Sequence, residues 1–106
     1  MSKFLRQIRE LIKASEVRIS EHGYEELTED NLTVEEIVTG IEEAVIVEEY
    51  RDYPKGRCIL VLQQDQLGKA IHVVWGIPKG YEKPAVLITA YRPSLEKWDE
   101  SFLRRR

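Results

Sequence analysis

The segment between Arg57 and Arg92 constrains the fold of this chain more than any other part. It contains three apolar runs, rich in β-branched and aromatic residues, separated by two turn segments that contain Gly, Pro and Asp. Runs of this length and composition are typical of consecutive antiparallel strands. The sequence therefore predicts a strand meander over residues 57–63, 69–77 and 85–91.

The first half of the chain has helical patterns. Apolar residues at helical spacing predict an amphipathic helix over residues 3–14. Ser20 is a suitable N-cap for a brief helix from residue 21 to about residue 28, after an extended link over residues 17–19. Thr33 and Glu36 match a capping box that starts a second main helix after the one at residues 3–14. We expect these helices to pack on one face of the sheet.

Two further elements complete the predicted fold. Residues 44–50 are β-branched and then acidic, which suits a first strand near a sheet edge. Residues 96–103 predict a last turn of helix, with Trp98 and Phe102 packing inward. The order of elements indicates an α+β fold with two N-terminal helices packed on a four-stranded antiparallel sheet.

Length and composition indicate what kind of protein this is. The 106 residues suffice for a single domain, and 42% hydrophobic with 33% charged residues is typical of a soluble globular protein. No apolar run approaches the roughly 20 residues of a membrane helix, so we expect a cytoplasmic protein without membrane contact. The net charge of −3 disfavours nucleic-acid binding through the overall field but allows a local basic site in the second half.

His72 is the residue from which a functional interpretation starts. Strand alternation places Ile71, Val73 and Trp75 on one face, and we expect that bulkier face to lie under the helices. His72 would then point to the opposite, more open face, where a groove could bind a ligand. A half-exposed strand histidine without a function is the alternative.

Few other residues offer chemistry. Two histidines and one cysteine with no close pair do not suit a metal site, and no cofactor motif is present. Cys58 lies in an apolar strand, which favours a buried hydrophobe over a nucleophile. Tyr91 and Arg57 could supply a phenol and a phosphate anchor beside His72, although a regular meander need not bring them together.

Several segments resemble a known family. These are residues 18–22 (RISEH), the capped helix that begins LTVEE, and above all the strand sequences IHVVWG and ITAYRP. Over roughly residues 17–98 the chain resembles the domain of unknown function numbered 4258, and through it the RelE/ParE-type toxins and other small metal-independent RNases. Such toxins have two N-terminal helices on a small antiparallel sheet. By resemblance His22, Arg57, His72 and Tyr91 occupy the motif positions.

The resemblance implies a metal-independent RNase that uses the ribose 2′-hydroxyl as its nucleophile. His72 would be the general acid or base and Arg57 the phosphate anchor, while Tyr91 and His22 would position the substrate or assist proton transfer. RNA and an antitoxin or another protein would be the partners. The alternative is a non-catalytic interaction module of the same fold. It is favoured by the acidic balance and by Glu26, which stands where the family usually has Arg.

Overall fold

The computed structural model describes residues 2–106, in which three α-helices pack on one five-stranded sheet. None of the helices in this range has the length and apolar character needed to cross a bilayer. The helices are α1 (Lys3–Lys13), α2 (Glu21–Glu29) and α3 (Val34–Gly40), the last followed by a 3-10 turn at Ile41–Glu43. The strands are β1 (Val17–Ile19), β2 (Val45–Tyr50), β3 (Cys58–Gln64), β4 (Ala70–Gly76) and β5 (Ala85–Tyr91).

The helix starts predicted from capping residues are confirmed. The Ser20 hydroxyl accepts a hydrogen bond from the Gly23 N–H at 2.9 Å, which satisfies a backbone donor that the first turn of α2 leaves free. Thr33 and Glu36 form a reciprocal capping box at α3. The Ser20 hydroxyl also donates to the Ile88 carbonyl at 2.8 Å, so this residue both starts α2 and fixes it to β5.

The sheet has the order β1-β5-β4-β3-β2. Strands β2 to β5 form the predicted antiparallel meander, and the α+β class is confirmed. The predicted count of two helices and four strands is wrong, because the brief helix after Ser20 is a full nine-residue helix that makes three, and Val17–Ile19 is a fifth strand that pairs parallel to β5. Three residues are too few to show the alternation that predicts a strand from sequence. The residues that pair with this strand lie 68 positions later in the chain.

The core confirms the predicted orientation of β4. Ile71, Val73 and Trp75 are fully buried on the face that the helices cover. They pack in one cluster with Ile8 of α1 and Ile37 of α3. Since α1 is too short to be stable alone, burial of its apolar stripe against this sheet face is what holds it.

Gln63 is a buried polar residue that connects the sheet to α3. It is 2% exposed, and its side-chain carbonyl accepts a hydrogen bond from the Trp75 indole N–H at 3.0 Å. Its amide donates to the Ile37 carbonyl at 2.8 Å. Both neighbouring polar groups are therefore satisfied by one side chain inside the core.

The C-terminal segment, residues 93–106, lies on the face of the sheet opposite the helices. The helix predicted over residues 96–103 is wrong, because the chain here forms turns and a bridge between Trp98 and Arg105. Asp99 accepts hydrogen bonds from the backbone N–H and the hydroxyl of Ser101, a local pattern that competes with a helix. Phe102 has a φ of 59°, outside the helical region. Trp98 is buried as predicted, whereas Phe102 is only half-buried.

Replacing Gln63 tests whether this polar link supports the core. We expect Gln63→Ala to lower the free energy of unfolding by roughly 2 kcal/mol or more, because it leaves the Trp75 N–H and the Ile37 carbonyl buried without partners. Denaturant unfolding followed by tryptophan fluorescence measures this. The exposed neighbour Gln64 is the control, and Gln64→Ala should change stability by less than about 0.5 kcal/mol. Equal midpoints for the two variants would contradict the role assigned to Gln63.

Candidate functional site

The four predicted site residues occupy three separate places. His72 and Tyr91 are direct partners across β4 and β5, with ring centroids 5.4 Å apart. Arg57 precedes β3 at the other end of the sheet, about 17 Å from His72 along the strand direction. His22 lies on α2. The structure thus brings together only the histidine and the tyrosine of the β4–β5 pair.

His72 is fully buried, so its predicted position on an open face is wrong. The C-terminal segment covers that part of the sheet. The Phe102 carbonyl lies 2.7 Å from Nε2 of His72 and can only accept, so Nε2 carries the proton. Nδ1 then accepts from the Tyr91 hydroxyl at 3.2 Å. Both ring nitrogens of a neutral imidazole are engaged.

A series of side-chain contacts extends outward from His72. The Trp98 ring contacts the imidazole edge-on at 4.5 Å between centroids, and the Arg105 guanidinium lies 4.6 Å from the Trp98 ring. Arg105 in turn forms a bidentate ion pair with Glu48 at 2.9 and 3.0 Å. These hydrogen bonds lower the pKa of the Glu48 carboxyl. Burial, together with the hydrogen bond to Glu48, raises the pKa of Tyr50 to about 12.

This arrangement disfavours a positive charge on His72. Burial lowers its pKa, and the nearby Arg105 charge lowers it further, while the Phe102 carbonyl and Glu48 act in the opposite direction. The buried neutral ring joins the C-terminal segment to β4. To act as a general base, His72 would first have to lose the cover that this segment provides.

His22 has a different environment. Its side chain is 62% exposed in the first turn of α2, and Nε2 lies 3.5 Å from a carboxylate oxygen of Glu26 one turn later. His22 and Glu26 therefore form a pair on the surface of α2. A catalytic role for His22 stays a prediction.

Arg57 lies at the helix-covered face. Its guanidinium is 4.5 Å from the centre of the Phe4 ring of α1, and one of its terminal nitrogens is 3.9 Å from Glu49. Its Nε is buried and has no hydrogen-bond partner among residues 2–106. A buried donor without a partner is unusual in a native structure. The guanidinium of Arg57 can therefore donate a further hydrogen bond.

Two loops meet beside Arg57, the β2–β3 loop and the β4–β5 loop. In an antiparallel meander these loops lie at the same end of the sheet. The Lys79 N–H donates to the Lys55 carbonyl at 3.0 Å, and the Ile77 N–H donates to the Arg57 carbonyl at 3.1 Å. Gly56 has a φ of 135°, and a Cβ there would lie 2.2 Å from the Ile77 oxygen. Glycine is thus required for the loops to approach each other.

The loops and α1 enclose a cleft of about 460 Å³, named here the Arg57 cleft. Two tyrosines line the cleft, and they are largely exposed, Tyr53 at 50% and Tyr81 at 71%. Its charged residues are Arg51, Asp52, Arg57 and Lys79. The cations outnumber the acids, although Glu49 lies 3.8 Å from Arg51 and partly offsets its charge. Aromatic faces and guanidinium groups thus share one surface.

The residues of this cleft other than Arg57 were not expected from the sequence. A signal for them exists, because the sequence Pro-Lys-Gly occurs at residues 54–56 and again at residues 78–80, each time beside a tyrosine. Both copies interrupt apolar strands as turns. Only the meander topology shows that the two copies meet at one end of the sheet.

Other site chemistry is sparse in the part of the chain that the structure describes. No cluster of three or more His, Cys, Asp or Glu side chains within it could hold a metal ion. Cys58 is a buried free cysteine, as the apolar strand predicted, and burial raises the pKa of its thiol.

The burial of His72 predicts how stability depends on pH. Since the folded state disfavours the protonated ring, the unfolded state binds the proton first as the pH falls below about 6.5. We expect the free energy of unfolding to decrease between pH 7 and pH 5.5, by at most about 1.4 kcal/mol per pH unit. His72→Gln should flatten this dependence, whereas His22→Gln at an exposed position should retain it. Denaturant unfolding at several pH values measures both, and an unchanged slope in His72→Gln would exclude this residue as the cause.

Comparison with known proteins gives one relationship. No curated protein and no solved structure matches the chain. The family described as a domain of unknown function (DUF4258) matches residues 19–92. The match includes His22, Arg57, His72 and Tyr91 and the two loops of the Arg57 cleft. Because it covers more than half of the 106 residues, the chain belongs to the DUF4258 family.

Proposed function

We propose that this protein is a small toxin-like domain that binds single-stranded RNA at the Arg57 cleft. The observation that carries the proposal is the convergence of two exposed tyrosine rings with Arg51, Arg57 and Lys79. Proteins that bind single strands combine a positively charged groove with aromatic rings on which bases stack. The resemblance to metal-independent RNases favours RNA as the ligand.

Arg57 is the phosphate anchor in this proposal. A guanidinium group presents several N–H donors in a planar fork that suits phosphate oxygens. The buried Nε of Arg57 has no hydrogen-bond partner among residues 2–106, and the side chain is 37% exposed, so its terminal nitrogens can donate to a phosphate oxygen. Glu49 lies 3.9 Å from the same guanidinium, a distance too long for a strong hydrogen bond. The carboxylate therefore leaves the guanidinium donors free to bind an anion.

The acidic net charge does not oppose a local site of this kind. Acids are concentrated on α2 and α3, whereas the Arg57 cleft lies at the loop end of the sheet. Exposed charges farther apart than about 8 Å are largely screened at physiological ionic strength. Binding should thus depend on the few cations of the cleft.

Metal-independent cleavage of the bound RNA is a second candidate function. The ribose 2′-oxygen would attack the adjacent phosphorus and lose its proton to a base, while the 5′-oxygen leaves with a proton from an acid. A cyclic phosphate and a 5′-hydroxyl would result. Within the cleft, the Asp52 carboxylate can accept a proton, and Lys79 or a tyrosine can donate one. Arg57 would stabilise the charge on the phosphorus oxygens.

The environment of His72 favours a non-catalytic version of the domain. The ring is buried, both nitrogens are hydrogen-bonded, and Arg57 lies at the far end of the sheet. An interaction module that binds RNA or a protein partner without cleaving it needs no exposed histidine. Catalysis by His72 with Tyr91 would require the C-terminal segment to move away.

Arg57→Ala tests the phosphate anchor. We expect a loss of RNA affinity of about tenfold or more, because a hydrogen bond to a charged group contributes about 1.5 to 3 kcal/mol. The logarithmic salt slope should fall by about 0.7 if one phosphate contact is lost. Fluorescence anisotropy with a labelled single-stranded RNA at several salt concentrations measures both quantities.

Lys69→Ala is the matched control, since Lys69 is an exposed cation at the opposite end of the sheet. It should leave both affinity and slope near the parent values. Tyr81→Ala removes an exposed ring, so it should weaken binding without affecting the fold. Equal affinities for the parent and Arg57→Ala, with both folded, would refute the anchor. An absence of binding by the parent at low salt would refute the proposed function.

A cleavage assay distinguishes catalysis from binding. The parent, Arg57→Ala and His72→Gln would each be incubated with end-labelled single-stranded RNA in EDTA. We expect any cleavage to be lost in Arg57→Ala and retained in His72→Gln, because the cleft and the buried histidine are about 17 Å apart. Loss in a folded His72→Gln variant would instead assign catalysis to the His72–Tyr91 pair. Binding by the parent without cleavage would support the interaction module.

A further inference from the structure

A second cavity adjoins the Arg57 cleft on the face of the sheet opposite the helices. It has a volume of about 240 Å³, and Gly76, Val86 and Ile88 supply its apolar walls. Tyr53, Lys55 and Arg57 also line it. Pockets that enclose a whole small molecule usually measure about 300 to 1,000 Å³, so this one suits part of a larger ligand.

The cavity exists because the middle strand carries a glycine at this level. Alternation along β4 places Gly76 on the same face as His72, and a Cβ at Gly76 would lie 2.9 Å from the Ile88 side chain. The C-terminal segment covers this face at His72. The Gly76 end of the strand, four residues from His72, lines the cavity instead.

Arg57 belongs to both cavities. The Arg57 cleft and the second cavity also share Tyr53, Gly56, Ile77 and Pro78, so the two spaces meet along one wall. A group bound to the guanidinium therefore lies at the mouth of an apolar space. A nucleotide suits such a site, because its anionic phosphate is attached through a sugar to a flat aromatic base whose faces can pack against apolar side chains.

We propose that the second cavity accepts one nucleobase of an RNA strand whose phosphate is bound by Arg57. The inference rests on the proposed function and specifies how the strand is held. Val86 and Ile88 would contact the base, and Lys55 at the rim can donate to a base oxygen or to the next phosphate. Bases of single strands are free to turn out and insert in this way.

The experiment compares a uridine oligonucleotide with one of equal length that carries abasic sites. The parent should bind the abasic strand on the order of tenfold more weakly. Val86→Trp fills the cavity, so it should weaken binding of the uridine strand by part of this factor, because stacking on Tyr53 and Tyr81 in the Arg57 cleft is retained. The same variant should leave binding of the abasic strand unchanged. The variant should thus reduce the preference of the protein for the uridine strand.

Val45→Trp is the control, because Val45 is exposed on β2 and pairs with Leu62 at the other end of the sheet. It should retain the preference. If Val86→Trp does not fold, Ile88→Phe places a larger side chain at the same wall of the cavity. A full preference for the uridine strand in the folded filling variant, with Arg57 still required, would overturn the base cavity and leave the proposed function standing. No binding of either strand by the parent would overturn both.

Discussion

Burial of both faces of β4 is the constraint on which the rest of the structure depends. Trp75 on one side and His72 on the other are both fully buried. A strand buried in this way needs a cover on each face, and the chain supplies helices for one and its C-terminal segment for the other. The β2–β3 and β4–β5 loops meet at one end of this sheet. The Arg57 cleft and the cavity beside it both lie at that end.

The two covers differ in how they are held. The helical face is held by apolar contact among aliphatic side chains and by the Gln63 hydrogen bonds. The opposite face is held by polar and aromatic contacts, from the His72 ring through Trp98 and Arg105 to Glu48. Apolar burial is insensitive to pH, whereas hydrogen bonds to a titratable ring are not. A change of pH should therefore affect the attachment of the C-terminal segment more than the packing of the helices.

Much of the fold was predictable because its signals are local. The meander follows from apolar runs between turns, and the starts of α2 and α3 follow from Ser20 and Thr33. What could not be predicted depends on contacts between distant segments. The cover over His72 is a backbone carbonyl of Phe102, and a carbonyl carries no side-chain signal. Likewise, nothing in the sequence near Tyr53 or Tyr81 indicates that their two loops lie side by side, because this proximity results from the order of the strands in the sheet.

The parallel pairing of β1 with β5 affects how the protein can acquire its structure. Val17–Ile19 pairs with residues 68 positions later in the chain, whereas β3 and β4 meet through a short turn. Closing a long loop has a larger entropy cost than closing a short one, so the hairpins should form first. During synthesis β1 would emerge long before Ala85–Tyr91 exists, and α2, which Ser20 fixes to β5, would have no surface on which to dock. The N-terminal third would then remain accessible to chaperones and proteases until the last strand leaves the ribosome.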